Sequence, residues 1–320
     1  MMPRRLLTAA APFLGLAFVI ALFALDADVR PYLFSSRNAV LIASQTAVIA
    51  VGALGMTMVI VSGGIDLSVG SAVALASVVC ATSLLHGEPT FVSIALAVLT
   101  GTAVGVANGV AIGYLRMVPF IVTLGMMGIA RGCAKWLAGN QTVNPSDNAV
   151  VALMSTLRRA GAGELAVPAG VWLVLTLAVV VGLAMTRTVL GRHVYAIGSN
   201  ESAARLCGIR VPLTKLWIYA LAGTLFGFAG VLQFARLTQG DPTVAVGLEL
   251  DVIAACVLGG ASLSGGTGSV LGAMVGALIM AVLRNGSNQM GWPNYVQDIM
   301  IGVVIILAVG IDRLRQRGER

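Results

Sequence analysis

Long apolar stretches recur from one end of the chain to the other, each bounded by charge, proline or a polar cluster. They run near 9–25, 39–61, 69–85, 90–113, 118–138, 166–185, 213–234, 250–262, 267–283 and 297–311. A membrane span takes about 20 apolar residues, so ten such segments consume most of the 320 residues. The pattern predicts an all-α, polytopic membrane protein with about ten transmembrane helices, built as one transmembrane domain over 1–320. Composition agrees: 58% of the residues are hydrophobic and 10% charged, against about 45–50% and 25% in soluble domains. That excludes a soluble enzyme and a disordered chain. Most of the 39 glycines fall inside the apolar runs, as expected of membrane helices that approach backbone to backbone through small residues.

The net charge of +7 does not point to nucleic acid, because no basic stripe is interleaved with aromatic residues. Its distribution reads as topology instead. With both termini in the cytoplasm, the inner side holds 12 of the 20 basic residues, among them Arg4, Arg5, Arg116, Arg187, Arg192, Arg205, Arg210 and Lys215. Only four acids share that side: Asp66, Glu201, Asp312 and Glu319. Excess Lys and Arg inside is the signature of orientation, with Lys135, Arg158 and Arg159 as exceptions in a long outer segment. The first run follows Arg4 and Arg5 but lacks a convincing cleavage site, so it reads as a retained span. Cys80, Cys133, Cys207 and Cys256 are widely spaced, and His86 and His193 are solitary. This pattern predicts neither a metal site nor a disulfide framework.

Three polar segments interrupt the apolar runs. Thr186 to Lys215 is the largest on the cytoplasmic side. Asn200 is placed to cap a short helix from Glu201 to Leu206, and Gly208 to stop it. Such a helix is a handle for a soluble partner, and an ordinary basic loop is the competing reading. Gly63 to Ser71 reads G-G-I-D-L-S-V-G-S. A carboxylate near membrane depth is costly and is normally paired or faces water, so Asp66 and Ser68 are candidates for a pathway or hinge; a tight turn with Asp66 as a cap is the alternative. Gly259 to Ser269 reads G-G-A-S-L-S-G-G-T-G-S and makes Ser262 and Ser264 candidates of the same kind. Gln45, Thr46, Asn108, Thr123, Gln233 and Asn285 lie inside or at the ends of apolar runs. They suit either a path for an uncharged, hydroxyl-rich solute or hydrogen bonds between helices.

Absent motifs narrow the function further. The two lysines, Lys135 and Lys215, follow Ala134 and Thr214, so no G-K-[ST] phosphate loop exists. There is no G-x-S-x-G or H-E-x-x-H, and no catalytic residue or metal ligand set is expected. Intramembrane carboxylates are too few for a proton relay. If transport through this chain is active, the energy comes from another polypeptide.

Taken together, G-G-I-D-L-S-V-G-S at 63–71, G-R-H-V-Y-A-I-G-S-N-E-S-A-A-R-L-C-G-I at 191–209 and L-D-V-I-A-A-C-V-L-G-G-A-S-L-S-G-G-T-G-S at 250–269 resemble the permease subunit of ribose-type bacterial ABC importers. The resemblance implies a non-catalytic inner-membrane permease for a pentose or hexose. It implies a second permease copy, a cytoplasmic ATPase pair and a periplasmic substrate-binding protein as partners. ATP and Mg would be used by the ATPase, with no cofactor held by this chain. It also implies a coupling segment at about 186–213, with Asn200, Glu201, Ser202, Ala203, Ala204, Arg205 and Gly208 meeting the ATPase. Ser202-Ala203-Ala204 followed by Gly208 is similar to the importer signature E-A-A-x-x-x-G, with Ser202 standing at the Glu position. A nucleoside, autoinducer-2 or branched-chain amino acid as cargo, or an ATP-independent carrier, are the alternatives.

Overall fold

A computed structural model describes residues 2–146, 149–155 and 167–317. Arg158, Arg159, Glu319 and Arg320 of the charge pattern lie outside the described residues. Thirteen α-helices follow one another among the described residues. They are α1 (Met2–Ala24), α2 (Arg30–Leu33), α3 (Ser36–Val61), α4 (Val69–Leu85), α5 (Thr90–Gly113), α6 (Pro119–Leu137), α7 (Ala169–Arg187), α8 (Val189–Ser199), α9 (Glu201–Leu206), α10 (Val211–Leu237), α11 (Leu248–Leu258), α12 (Val270–Gln289) and α13 (Asn294–Arg317). No strand forms among these residues; Val143 and Gly240 make a single antiparallel bridge.

Each of the ten expected segments coincides with a helix. Among the described residues, six helices are long and apolar enough to cross a membrane: α3, α5, α6, α7, α10 and α12. The segment expected at 250–262 is shorter than anticipated. Helix α11 has 11 residues, roughly 16 Å at 1.5 Å per residue, and gives way to turns at Gly259 and Gly260. The polar segment expected at 186–215 also holds a helix that its pattern does not announce, α8, regular over 11 residues.

The interior is built around α3 and α10. Helices α4 and α5 pack against α10, while α11 and α12 pack against α3, with α1 outside α12. The closest seam joins α5 to α10. Gly101, Gly105, Gly109 and Gly113 recur every four residues on one stripe of α5 and meet Gly223, Gly227, Leu216 and Pro212. A β-carbon on Gly101 would stand 2.6 Å from the Gly227 Cα, and one on Gly223 would stand 2.7 Å from the Gly105 Cα. Only glycine permits this approach, the small-residue packing typical of membrane helices. The outward faces of α5, α6 and α7 carry exposed Leu99, Trp136, Trp172 and Val179, as a lipid-facing surface requires.

Candidate functional site

The segment between α7 and α10 is two helices that follow directly on one another. Thr188 caps α8 by accepting from the Gly191 N–H at 3.2 Å. Apolar Val194 and Ile197 turn inward. Asn200 caps α9 as expected, its Oδ1 accepting from the Ala203 N–H at 2.9 Å, and Gly208 stops the helix at φ +84°. Glu201 ties α9 to α10. Its carboxylate accepts from Lys215 Nζ at 2.8 Å and from Arg205 Nη2 at 3.1 Å. Partial burial would raise this carboxyl, but the hydrogen bonds and charges of Lys215 and Arg205 outweigh it and hold Glu201 below the ordinary glutamate range.

The exposed face of α9 differs from the expected Ala-Ala surface. Ala204 is buried against Ile197 and Val211, because α9 folds back onto the end of α8 and the start of α10. Ser202, Ala203 and Arg205 face outward, and beside them Leu206 is 90% exposed. Sequence reasoning passed over Leu206; a large aliphatic in the last turn of a polar helix was the available signal.

The end of α8 packs backbone against backbone on both glycine-rich strings. The Gly266 N–H donates to the Val61 carbonyl at 2.9 Å, which brings 259–269 against the end of α3. A β-carbon on Gly198 would collide with that same Val61 carbonyl and stand 2.6 Å from the Gly266 nitrogen. One on Gly265 would stand 3.0 Å from the Gly63 Cα and 3.1 Å from the Gly198 Cα. The Tyr195 hydroxyl donates to the Gly268 carbonyl at 2.8 Å. The two glycine-rich strings are therefore neighbours in space, with the end of α8 packed against them. Ser262 and Ser264 shape the second string: their hydroxyls lie 2.9 Å apart, and the Ser262 N–H donates to the Thr267 carbonyl.

Asp66 lies in the loop between the apolar helices α3 and α4 and is 0% exposed. Its Oδ1 accepts from the Ser68 N–H at 2.8 Å and the Ser68 hydroxyl at 2.6 Å. Asn108 of α5 donates from Nδ2 to Asp66 Oδ2 at 3.3 Å and to Ser68 Oγ at 3.0 Å. Burial pushes the Asp66 carboxyl above its ordinary range, against the opposing pull of the Ser68 and Asn108 hydrogen bonds. Tight turn and buried carboxylate thus coexist. Asp66, Ser68 and Asn108 form one network, which fastens the loop to α5.

Gln45 lies elsewhere, in a polar cavity with Gln233. Asn285 donates to Asn38 across α12 and α3, and Thr123 donates to the Ile65 carbonyl, so these two act between elements. Thr46 bonds only within its own helix, to Ile42. The cavity also contains a pair that sequence reasoning missed: Asp251 accepts from Arg284 Nε and Nη2, both at 2.9 Å. Both residues read as outer-side charges at segment ends, and nothing in their spacing of 33 residues announces the contact.

This arrangement is a membrane helix bundle whose α8–α9 segment touches the loops that end its central helices. It has no catalytic constellation among the residues singled out. Comparisons with known proteins agree. Residues 38–309 match the family described as "Branched-chain amino acid transport system / permease component". The chain is 40% identical over 303 residues to the ribose import permease protein RbsC of Escherichia coli K12, covering 94% of each. It is 37% identical over 304 residues to the Bacillus subtilis 168 protein of the same name, covering 94% of this chain and 92% of that one. The L-arabinose transport system permease protein AraH of Escherichia coli K12 is 36% identical over 268 residues, 84% of this chain and 80% of the relative. No solved structure matches the chain. With a match over most of its length and several relatives above a third identical, the chain belongs to the transport-system permease-component family, as a multi-pass membrane subunit that is not an enzyme.

Proposed function

We propose that this chain is the translocating subunit of an ATP-driven importer of the bacterial inner membrane, and that its cargo is a monosaccharide, a pentose first. The names of its relatives support the cargo: they are ribose and arabinose permeases. The observation that carries the mechanism is the junction of Gly198, Val61 and Gly266, since a force applied to α8 and α9 passes directly into the loops that end α3 and α11. A cytoplasmic ATPase pair, using ATP and Mg, would grip α9 through Ser202, Ala203, Arg205 and Leu206. A periplasmic binding protein would deliver solute at the opposite face. ATP and the loaded receptor bias the bundle between access states only through different affinities for those states.

Ten passes with both termini inside fit the excess of cytoplasmic Arg and Lys. In that reading α1, α4, α13 and the α11 segment with its following loop add four passes to the six long helices. A second copy of the chain completes the pathway. Helix α6 is suited to that contact, because Gly125, Gly128 and Gly132 face open space on a helix that is mostly exposed.

Reconstitution tests the reading. Vesicles containing this chain, its ATPase and the receptor should concentrate labelled ribose or arabinose only with ATP inside the ATPase compartment. Vesicles with this chain alone should not. Concentration of solute by the lone subunit would overturn the proposal.

A further inference from the structure

A polar cavity of about 320 Å³ lies between α3, α10, α11 and α12, at the lower end of the range of about 300–1,000 Å³ for small-molecule sites. It is remote from the coupling helices. Gln45 stands 16 residues before Val61 on α3, roughly 24 Å away at the helical rise of 1.5 Å. Two other cavities are walled chiefly by apolar side chains such as Leu175, Val179 and Met274, or Phe18, Leu22 and Ile299. This one sets amides and charges beside aliphatic side chains such as Val48, Ile49 and Leu248.

Its polar groups are held inside the protein. Gln233 and Asp251 are each 4% exposed. Gln233 Oε1 accepts from Arg236 Nη2 at 3.3 Å, and Asp251 is held two-pronged by Arg284. Gln45 Oε1 is buried with no hydrogen-bond partner. Buried polar atoms are nearly always satisfied, and an orphan at a cavity wall points to something that enters the cavity. The chemistry of the wall selects what enters. An amino-acid zwitterion needs an open cation and an open anion; Arg236 supplies the wall with a cation bonded only to Gln233, but Asp251 is already neutralised by Arg284 and leaves no open anion for an ammonium. What they leave is spare lone pairs and N–H groups beside the amides, a mixture that matches hydroxyls, which donate and accept at once.

We propose that this cavity is a transit subsite for a neutral, polyhydroxylated solute, with Gln45, Gln233, Asp251 and Arg284 as its hydrogen-bonding wall. The inference rests on the monosaccharide reading and assigns the residues that would touch the sugar within the membrane.

Gln45→Leu is the decisive variant, because it removes the unpartnered amide without breaking a hydrogen bond of the chain. In the complete complex of chain, ATPase and receptor, uptake of labelled ribose, arabinose and leucine is measured beside ATP hydrolysis stimulated by the loaded receptor. Pentose uptake at limiting solute should fall about three- to tenfold, the scale of one lost hydrogen bond, with the ribose-to-arabinose ratio altered and stimulated hydrolysis unchanged. Wild-type uptake and ratio in Gln45→Leu would overturn the subsite while leaving the monosaccharide reading intact. Concentration of leucine and neither pentose by the unaltered complex would overturn both. Should Gln45→Leu not assemble, Gln45→Cys blocked with a thiol reagent gives the same decision: ribose should slow the block, and an equal rate with and without ribose would sink the subsite.

Discussion

Gly198 has backbone on every side that a β-carbon could occupy: the Val61 carbonyl on one and the Gly266 nitrogen on the other. Overpacking a well-packed site costs about 1–3 kcal/mol, and here the atoms that must give way belong to the α3 end and the 259–269 loop. Gly198→Ala should therefore lower ATP-driven uptake sharply while the ATPase remains bound, a separation read by uptake and co-purification on the same preparation. Gly208→Ala is the control: its β-carbon would meet nothing, and the cost is confined to the positive φ. Leu206 makes the opposite prediction. Burying a leucine contributes about 1.5–3 kcal/mol, so Leu206→Asp should weaken co-purification of the ATPase by tenfold or more without loss of the permease fold. Ala204→Glu, the substitution that the importer signature suggests first, should instead unsettle α9 itself, because Ala204 packs against Ile197 and Val211.

At the scale of helices, two glycine stripes separate folding from assembly. The α5 stripe is filled by α10, and Gly105→Leu would drive a side chain into the Gly223 Cα, 2.9 Å from the position of its β-carbon. The expected result is a destabilisation of about 3 kcal/mol, the upper end of the usual range for overpacking, seen as lost expression or a lowered thermal midpoint in detergent. The α6 stripe is open, so Gly128→Leu should leave that midpoint unchanged and reduce the fraction of cross-linked dimer. Equal effects at both positions would count against α6 as the contact with a second copy. These elements also mark how far the sequence could be read. Apolar runs located the long helices, the six able to cross a membrane among them, because lipid demands continuous hydrophobicity. Helix α8 was missed because its apolar positions, Val194 and Ile197 among them, are interrupted by Arg192 and His193 in a stretch too polar for the same signal. The cap at Asn200 and the stop at Gly208 were legible because they depend on local backbone chemistry. The partition of Gln45 from Asp66, Ser68 and Asn108 was not, since it depends on which helices meet, and so was the pairing of Asp251 with Arg284.

For the molecule as a whole, orientation in the membrane decides whether the junction at Gly198 can receive a push from an ATPase. The natural cysteines offer a direct measurement. Cys80 and Cys256 are buried, while Cys133 and Cys207 are exposed. Cys133 sits within α6, in the body of a helix apolar enough to cross the membrane, and Cys207 sits one residue past α9, beside Leu206. In a Cys133→Ser background a membrane-impermeant maleimide therefore has a single accessible thiol to find. Inside-out vesicles should label and right-side-out vesicles should not if the α7–α10 segment lies in the cytoplasm, as the proposed topology with Arg and Lys in excess inside requires. Adding the ATPase to inside-out vesicles should then protect Cys207, since a protein seated on Leu206 covers its neighbour. Labelling from the exterior would remove the cytoplasmic coupling segment, and with it the route by which hydrolysis in another subunit moves the loops at the ends of α3 and α11. Cytoplasmic labelling without protection would keep the topology and relocate the ATPase contact away from α9.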